Sequence, residues 1–176
     1  MSKAWLGIDI GGTSTRFLFL DQQVAWSGFN KIATSEWAKT DNPVVTLAEN
    51  ITILSAEKAL HGVMLGLPGI LNRQRNQVIS LPFIPSLNNQ PVAEYLAAIL
   101  QTPVAMDKDV NHLMFSDLNQ LPEMPQSAVG LYLGTGMGNS LWINGDFYHG
   151  ANGASGEIGH SLLAGNSRPC PCVVVN

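Results

Sequence analysis

Apolar residues follow two rhythms along this chain, and the places where the rhythm changes divide it into elements. Residues 4–10, AWLGIDI, and 15–21, TRFLFLD, are short apolar runs that predict two strands around a Gly-Gly turn. Residues 23–30, QVAWSGFN, predict a third. The period then lengthens. Asp41 or Asn42 stands as a cap and Pro43 in a first turn, and Val44, Leu47, Ile51, Leu54 and Leu60 recur at helical spacing. Residues 61–69, HGVMLGLPG, predict a buried strand that the glycines and proline of Gly-Leu-Pro-Gly end. A second helix is expected over 92–100, VAEYLAAIL, followed by a short strand, PVAMD, at 103–107 that leads to Asp109. A further helix is expected from about Val110 to Leu118, and residues 121–127, LPEMPQS, have the composition of a connecting loop. Residues 128–148, AVGLYLGTGMGNSLWINGDFY, repeat the opening device of apolar strand, glycine-rich turn and apolar strand, and Asn144–Gly145 marks a hairpin.

Strands alternating with helices define an α/β chain. Its boundary is expected near residues 103–109, separating 1–106 from 107–176. The 176 residues suffice for one domain, or for a small domain and part of another. Charged residues make up only 12%, about half the usual share, which suggests a surface that expects to be covered. The net charge of −4 offers no basic field to nucleic acid or an anionic membrane. No apolar run reaches the length of a membrane span, and the residues before Asp9 are too few for a signal peptide. Both cysteines fall in PCPC at 169–172, which is no disulfide framework. These features predict a soluble, cytoplasmic protein.

The chemistry concentrates in the repeated turns. Gly11, Gly12 and Thr13 follow a strand that ends beside Asp9, and Gly134, Thr135, Gly136 and Gly138 occupy the equivalent place in the second half. Either turn alone is more often a plain hairpin. The second is spaced G-x-G-x-G, not as a dinucleotide fingerprint, and a strand follows it. Two such turns in one chain predict a pair of phosphate clamps. Glycine lets the main chain approach an anion, and each turn adds a threonine hydroxyl. Asp9 would then hold Mg²⁺ through water beside an ATP tail. Phosphoryl transfer to a hydroxyl also needs a base, and MDKDVNH supplies Asp107 and Asp109, which spacing alone does not separate; Asp109 also reads as a helix cap. Glu157 and His160 share one face of a helical turn and can hydrogen-bond sugar hydroxyls. His61, His112 and His149 are taken as structural. With Cys170 and Cys172, His160 forms three ligands of an incomplete zinc set.

GIDIGGT, GLPG, KDVN, LGTGMG, GEIGH and CPC, in this order between residue 5 and Cys172, resemble the ROK group of bacterial sugar kinases and related repressors. The resemblance implies a two-lobed actin/hexokinase-like (ribonuclease H-like) ATPase fold and ATP-dependent phosphorylation of a hexose. By position it makes Asp109 the base in preference to Asp107, and assigns Asp9 to Thr13 and Gly134 to Gly138 to ATP and Mg²⁺. It implies that Gly69, Lys108, Glu157 and His160 lie against the sugar, and that His160, Cys170 and Cys172 bind structural Zn²⁺. It further implies a homodimer for a full-length member. The repressors carry a DNA-binding domain ahead of the first motif, so a kinase is favoured over a regulator lacking that domain. Lys108 stands where the family kinases usually have Asn, and the resemblance is nearest to their allose-kinase branch. After C-x-C the family continues through most of a C-terminal lobe, whereas this sequence reads CVVVN, like a truncated or frameshifted end. An inactive fragment that keeps sugar or partner binding is therefore the alternative expectation.

Overall fold

The computed structural model describes residues 2–161 apart from 24, 56, 57 and 135. Strands β1 (Ser2–Ile10), β2 (Ser14–Leu20) and β3 (Trp26–Ala33) form an antiparallel meander. A short helix α1 (Ser35–Ala38) and helix α2 (Pro43–Leu54) lead to β4 (Lys58–Leu67), which pairs parallel to β1. A small ribbon follows, β5 (Ile70–Leu71) with β6 (Val78–Ser80), then a single 3-10 turn over Pro85–Leu87. Helix α3 (Val92–Leu100) returns the chain to β7 (Val104–Lys108), parallel to β4. The main sheet thus has the order β3-β2-β1-β4-β7.

Alternation explains this sheet. Ala4, Leu6, Ile8 and Ile10 of β1 and Phe17 and Phe19 of β2 are buried. They form one core with Trp37 of α1, Leu47 and Ile51 of α2, and Val92 and Leu96 of α3. One expectation is corrected here: the helical spacing through Leu60 stops at Leu54, and Leu60 belongs to β4. The Ser55 hydroxyl and N–H both donate to the Ile51 carbonyl, which closes the helix. The Lys58 N–H then bonds back to Ser55, turning the chain into the strand. Asn42 takes the cap position, but with its carbonyl, which accepts from the Thr46 N–H and hydroxyl; its side chain makes no cap bond.

Helix α4 (Asp109–Leu118) follows β7 without a break. It packs on a second sheet, β10-β9-β8, made by β8 (Ser127–Leu133), β9 (Met137–Ile143) and β10 (Asp146–Phe147). Met114, Leu118 and Trp142 form this smaller core, with Tyr132 and Phe147 against it. Asn144 (φ 56°) and Gly145 (φ 80°) both take the left-handed conformation that a two-residue Asn-Gly hairpin requires. On the opposite face the side chains of β8 are exposed, Val129, Leu131 and Leu133 by 66%, 57% and 81%, whereas Asn139 beside Leu131 on β9 is buried.

Candidate functional site

The strand register assembles the site. Asp9 on β1 pairs with Gly66 on β4, and Gly66 pairs with Asp107 on β7. Residues paired across parallel strands project to the same side, so the two aspartates flank a glycine at the carboxyl ends of the strands, where open α/β sheets bind ligands. The His112 ring occupies the space that Gly66 leaves, and a Cβ at Gly66 would lie 2.9 Å from its Nδ1. Burial pushes the His112 pKa down, although Asp107 and Asp9 pull it up. Its Nε2 is buried with no hydrogen-bond partner among the described residues.

Residues 11–13 form the turn between β1 and β2, and buried polar groups hold it. Trp37 Nε1 donates to Thr15 Oγ1 at 2.8 Å, Thr15 bonds Thr34 at 3.1 Å, and Thr34 Oγ1 donates to the Gly11 carbonyl at 2.6 Å. The Thr34 N–H donates to the Thr13 carbonyl at 3.0 Å. A Cβ at Gly12 would lie 2.9 Å from the ring of Phe83, itself mostly exposed. Asp9 Oδ2 accepts from Arg16 at 2.6 Å, and both side chains are about half exposed.

Asp109 opens α4, and its Oδ1 accepts the Val110 N–H at 2.7 Å. Burial raises its pKa. The Val110 bond opposes that rise, the negative charge of Asp9 adds to it, Lys108 lowers it and Glu157 raises it. Lys108 is almost wholly buried. Its Nζ bonds Glu157 Oε1 at 2.5 Å and the Ser155 carbonyl at 2.9 Å. The second oxygen of Glu157 lies 3.5 Å from His160 Nε2, across the short 3-10 turn Ile158–His160. Gly156 (φ 81°) and Gly159 let this segment lie on β9: a Cβ would meet the Asn139 carbonyl at 2.3 Å and the Met137 carbonyl at 2.4 Å, respectively. Asp9, Lys108, Asp109, Glu157 and His160 are thereby brought into one neighbourhood.

Other glycines divide by cause. Gly134 and Gly136 sit at the β8–β9 turn, joined by a bond from the Gly134 N–H to the Gly136 carbonyl at 2.9 Å. A Cβ on either would meet nothing within 4 Å, so internal packing gives no reason for glycine there. Gly138 and Gly69 do have such a reason. A Cβ would press on Val110 at 2.5 Å in the first case and on the Ser80 carbonyl at 2.4 Å in the second. Thr135, Cys170 and Cys172 lie outside the described residues.

Asp9 suits a hydrated Mg²⁺, since its carboxylate is half exposed and Mg²⁺ is usually held by one or two carboxylates with substrate phosphates. No group of three metal-ligating side chains occurs among the described residues. Of the zinc set only His160 lies among the described residues.

The residues that pattern alone passed over are Arg75, Asn111 and Ser140. Asp107 Oδ1 accepts the Lys108 N–H at 2.7 Å and Asn111 Nδ2 at 3.0 Å, and it lies 3.1 Å from Arg75 Nε in an ion pair. Ser140 Oγ donates to Asn111 Oδ1 at 2.6 Å, tying α4 to β9. The four-residue spacing of Asp107 and Asn111 was the only signal available.

An α/β sheet with parallel strands ending at a carboxylate row, and glycine turns on both halves, belongs to the hexokinase-like class. The chain matches the ROK family over residues 5–174 and is a member of it. It is 30% identical over 165 residues to an N-acetyl-D-glucosamine kinase of Vibrio parahaemolyticus, covering 90% of this chain and 53% of that one. It is 32% identical over 164 residues to an N-acetylgalactosamine kinase of Shewanella sp., covering 92% and 52%. A ROK family protein from Streptococcus pneumoniae, solved with sucrose, superposes with TM-score 0.77 at 26% identity over 94% of this chain and 55% of that one. A ROK family glucokinase from Streptomyces griseus, solved with glucose and AMPPNP, gives 0.76 at 22% identity over 91% and 51%, a likeness of fold. The chain spans about half the length of the curated relatives it matches.

Proposed function

We propose that this chain carries the base and sugar contacts of an ATP-dependent hexose kinase, with Asp109 accepting the proton of the attacking hydroxyl. The observation that carries the reading is Asp109 itself. It is a carboxylate held at a strand-to-helix corner, made more basic by burial and by Asp9, and it adjoins the Lys108–Glu157–His160 group. Glu157 would accept from sugar hydroxyls, while Lys108 holds its carboxylate in place. The exposed, unpacked glycines of the β8–β9 turn and the braced Gly11–Thr13 turn would take the phosphates from two sides. Mg²⁺ beside Asp9 would offset phosphate charge. Within the hexoses, an allose-type substrate is favoured by Lys108, which stands at the position of the usual asparagine. The domain division at 106–107 follows the same reading, although β7 keeps its pairing with β4 through Lys108.

A second reading, a sugar- or partner-binding chain without turnover, is favoured by one observation: Val129, Leu131 and Leu133 of β8 are exposed apolar side chains. A coupled ADP-release assay over allose, glucose, N-acetylglucosamine and N-acetylgalactosamine separates the two. Sugar-dependent release supports the kinase. Sugar binding by calorimetry without release supports the second reading, and sugar-independent release sinks both.

A further inference from the structure

Arg75 combines three unusual features. It lies in the turn between β5 and β6 with φ 56°, a region uncommon for any residue but glycine. The turn is braced locally: the Arg75 N–H bonds the Asn72 carbonyl at 3.1 Å, and Asn72 Oδ1 accepts the N–H groups of Asn76 and Gln77 at 3.0 and 3.1 Å. Its guanidinium leaves the turn and is buried, only 11% exposed. There it reaches three separate parts of the molecule. Nε lies 3.1 Å from Asp107 Oδ1 on β7, and Nη1 donates to the Gly153 carbonyl at 3.3 Å. Nε also donates to His149 Nδ1 at 3.1 Å, with Nη2 against the same nitrogen. The backbones meet at this point too. A Cβ on Gly153, whose φ is 84°, would sit 2.0 Å from the Leu71 carbonyl.

We propose that Arg75 is a positioning residue that locks the β5–β6 ribbon, the 149–153 loop and the start of α4 together, and so sets the direction in which Asp109 faces. The route is short. Arg75 fixes Asp107, Asp107 fixes the Lys108 N–H and Asn111, and Asp109 lies between those two residues. Arg75 and Lys108 also hold the 149–157 segment at two places, through the carbonyls of Gly153 and Ser155. A planar guanidinium serves three acceptors at once, which an ammonium on a flexible stem does not. His149 makes the lock sensitive to acid, because its Nδ1 accepts from Arg75 and must be unprotonated. The groups facing His149 are Arg75 and Arg73 from the ribbon, Asp107 from β7 and Asp146 from β10. Burial foremost, then Arg75, lowers its pKa. The stabilisation is complete above the ordinary imidazole value of 6.5 and is lost as pH falls through the lower folded value.

The kinetic arm of the test rests on Asp109 being a base; the structural arm does not. Amide hydrogen exchange on the full chain should show protection over 149–156 and the first turn of α4 falling about tenfold or more in Arg75→Met, with β1, β2 and β4 unchanged. Arg75→Lys should recover only part of it. In the parent chain the protection of 149–156 should weaken on acidification, and in His149→Gln that pH dependence should vanish. Unchanged protection in Arg75→Met, or an even loss across all strands, overturns the proposal. Where turnover is measurable, Arg75→Met should lower kcat about tenfold with little change in KM for ATP, and Arg75→Ala should be partly rescued by added guanidinium. A parent chain without turnover refutes the kinase reading and leaves the exchange result to decide this one.

Discussion

The molecule contains two ion pairs of like geometry and unlike setting, and their removal should cost very different amounts. Lys108–Glu157 spans 2.5 Å with side chains 7% and 31% exposed, and Arg16–Asp9 spans 2.6 Å with 48% and 47%. Water screens the second pair, so Arg16→Met should cost less than about 1 kcal/mol. Lys108→Met removes two charge-assisted bonds, to Glu157 and to the Ser155 carbonyl. Breaking a fully buried pair costs roughly 3–5 kcal/mol. Glu157 keeps about a third of its exposure and can rehydrate, which brings the expectation to about 2 kcal/mol. In a chain of this length that is a fall in Tm of about 4–8 °C. Urea unfolding of Lys108→Met, Glu157→Gln and the double variant closes a cycle whose coupling should be roughly 1–3 kcal/mol. Equal losses for Arg16→Met and Lys108→Met, or a coupling near zero, would show that burial does not set the strength of this pair.

Asp109→Asn should abolish transfer and yet raise Tm at neutral pH. A carboxyl with a raised folded pKa contributes stability below its ordinary value and loses it as pH rises through the folded one, while the amide keeps an acceptor for the Val110 N–H. The gain should disappear in melts near pH 3, and a loss of Tm at neutral pH would contradict the stated cause. Gly153→Ala forces a Cβ onto the Leu71 carbonyl in a left-handed backbone, so a loss of at least about 2 kcal/mol is expected in urea unfolding. Gly134→Ala meets nothing and should melt like the parent while weakening nucleotide binding by titration calorimetry; an unchanged affinity would remove that turn from the phosphate site. Leu131→Lys with Leu133→Glu should leave Tm within about 2 °C of the parent, because both side chains are exposed; a larger fall in thermal melts would show that they are packed against something.

Period and punctuation made much of the fold legible. Helix α3 falls on its predicted residues 92–100, the Asn144–Gly145 hairpin is present, and the strands flanking both glycine turns lie within a few residues of expectation. Leu60 failed because an apolar residue in register with a helix can equally begin the following strand, and only the hydrogen bonds at Ser55 decide. At the site, the spacing of Glu157 and His160 was enough to put them in one short turn, whereas spacing left Asp107 and Asp109 unseparated. The partner of Lys108 was not legible, since 49 positions separate it from Glu157. Nothing in its sequence neighbourhood marks Arg75, and its burial depends on where three distant segments converge. The letter glycine carried the least information. Gly134 stands in open space and Gly153 in a steric vice, and nothing local distinguishes them.

The strand order also has a consequence in time. β1 lies at the centre of its sheet, with β2 and then β3 on one side, and β4 and then β7 on the other. Synthesis proceeds in that same sequence, so each strand leaves the ribosome with its docking edge already present, and the sheet can widen outward from its first segment. The meander needs only local contacts and can form early. β4 and β7 must close longer loops through α2 and α3 before they gain a neighbour. Asp9 is therefore in position from the outset, Gly66 arrives beside it later, and Asp107 follows with β7, the last strand of this sheet. Glu157 and His160 come later still in the chain, so a folding intermediate can hold a finished meander before the acidic groups of the candidate site have met.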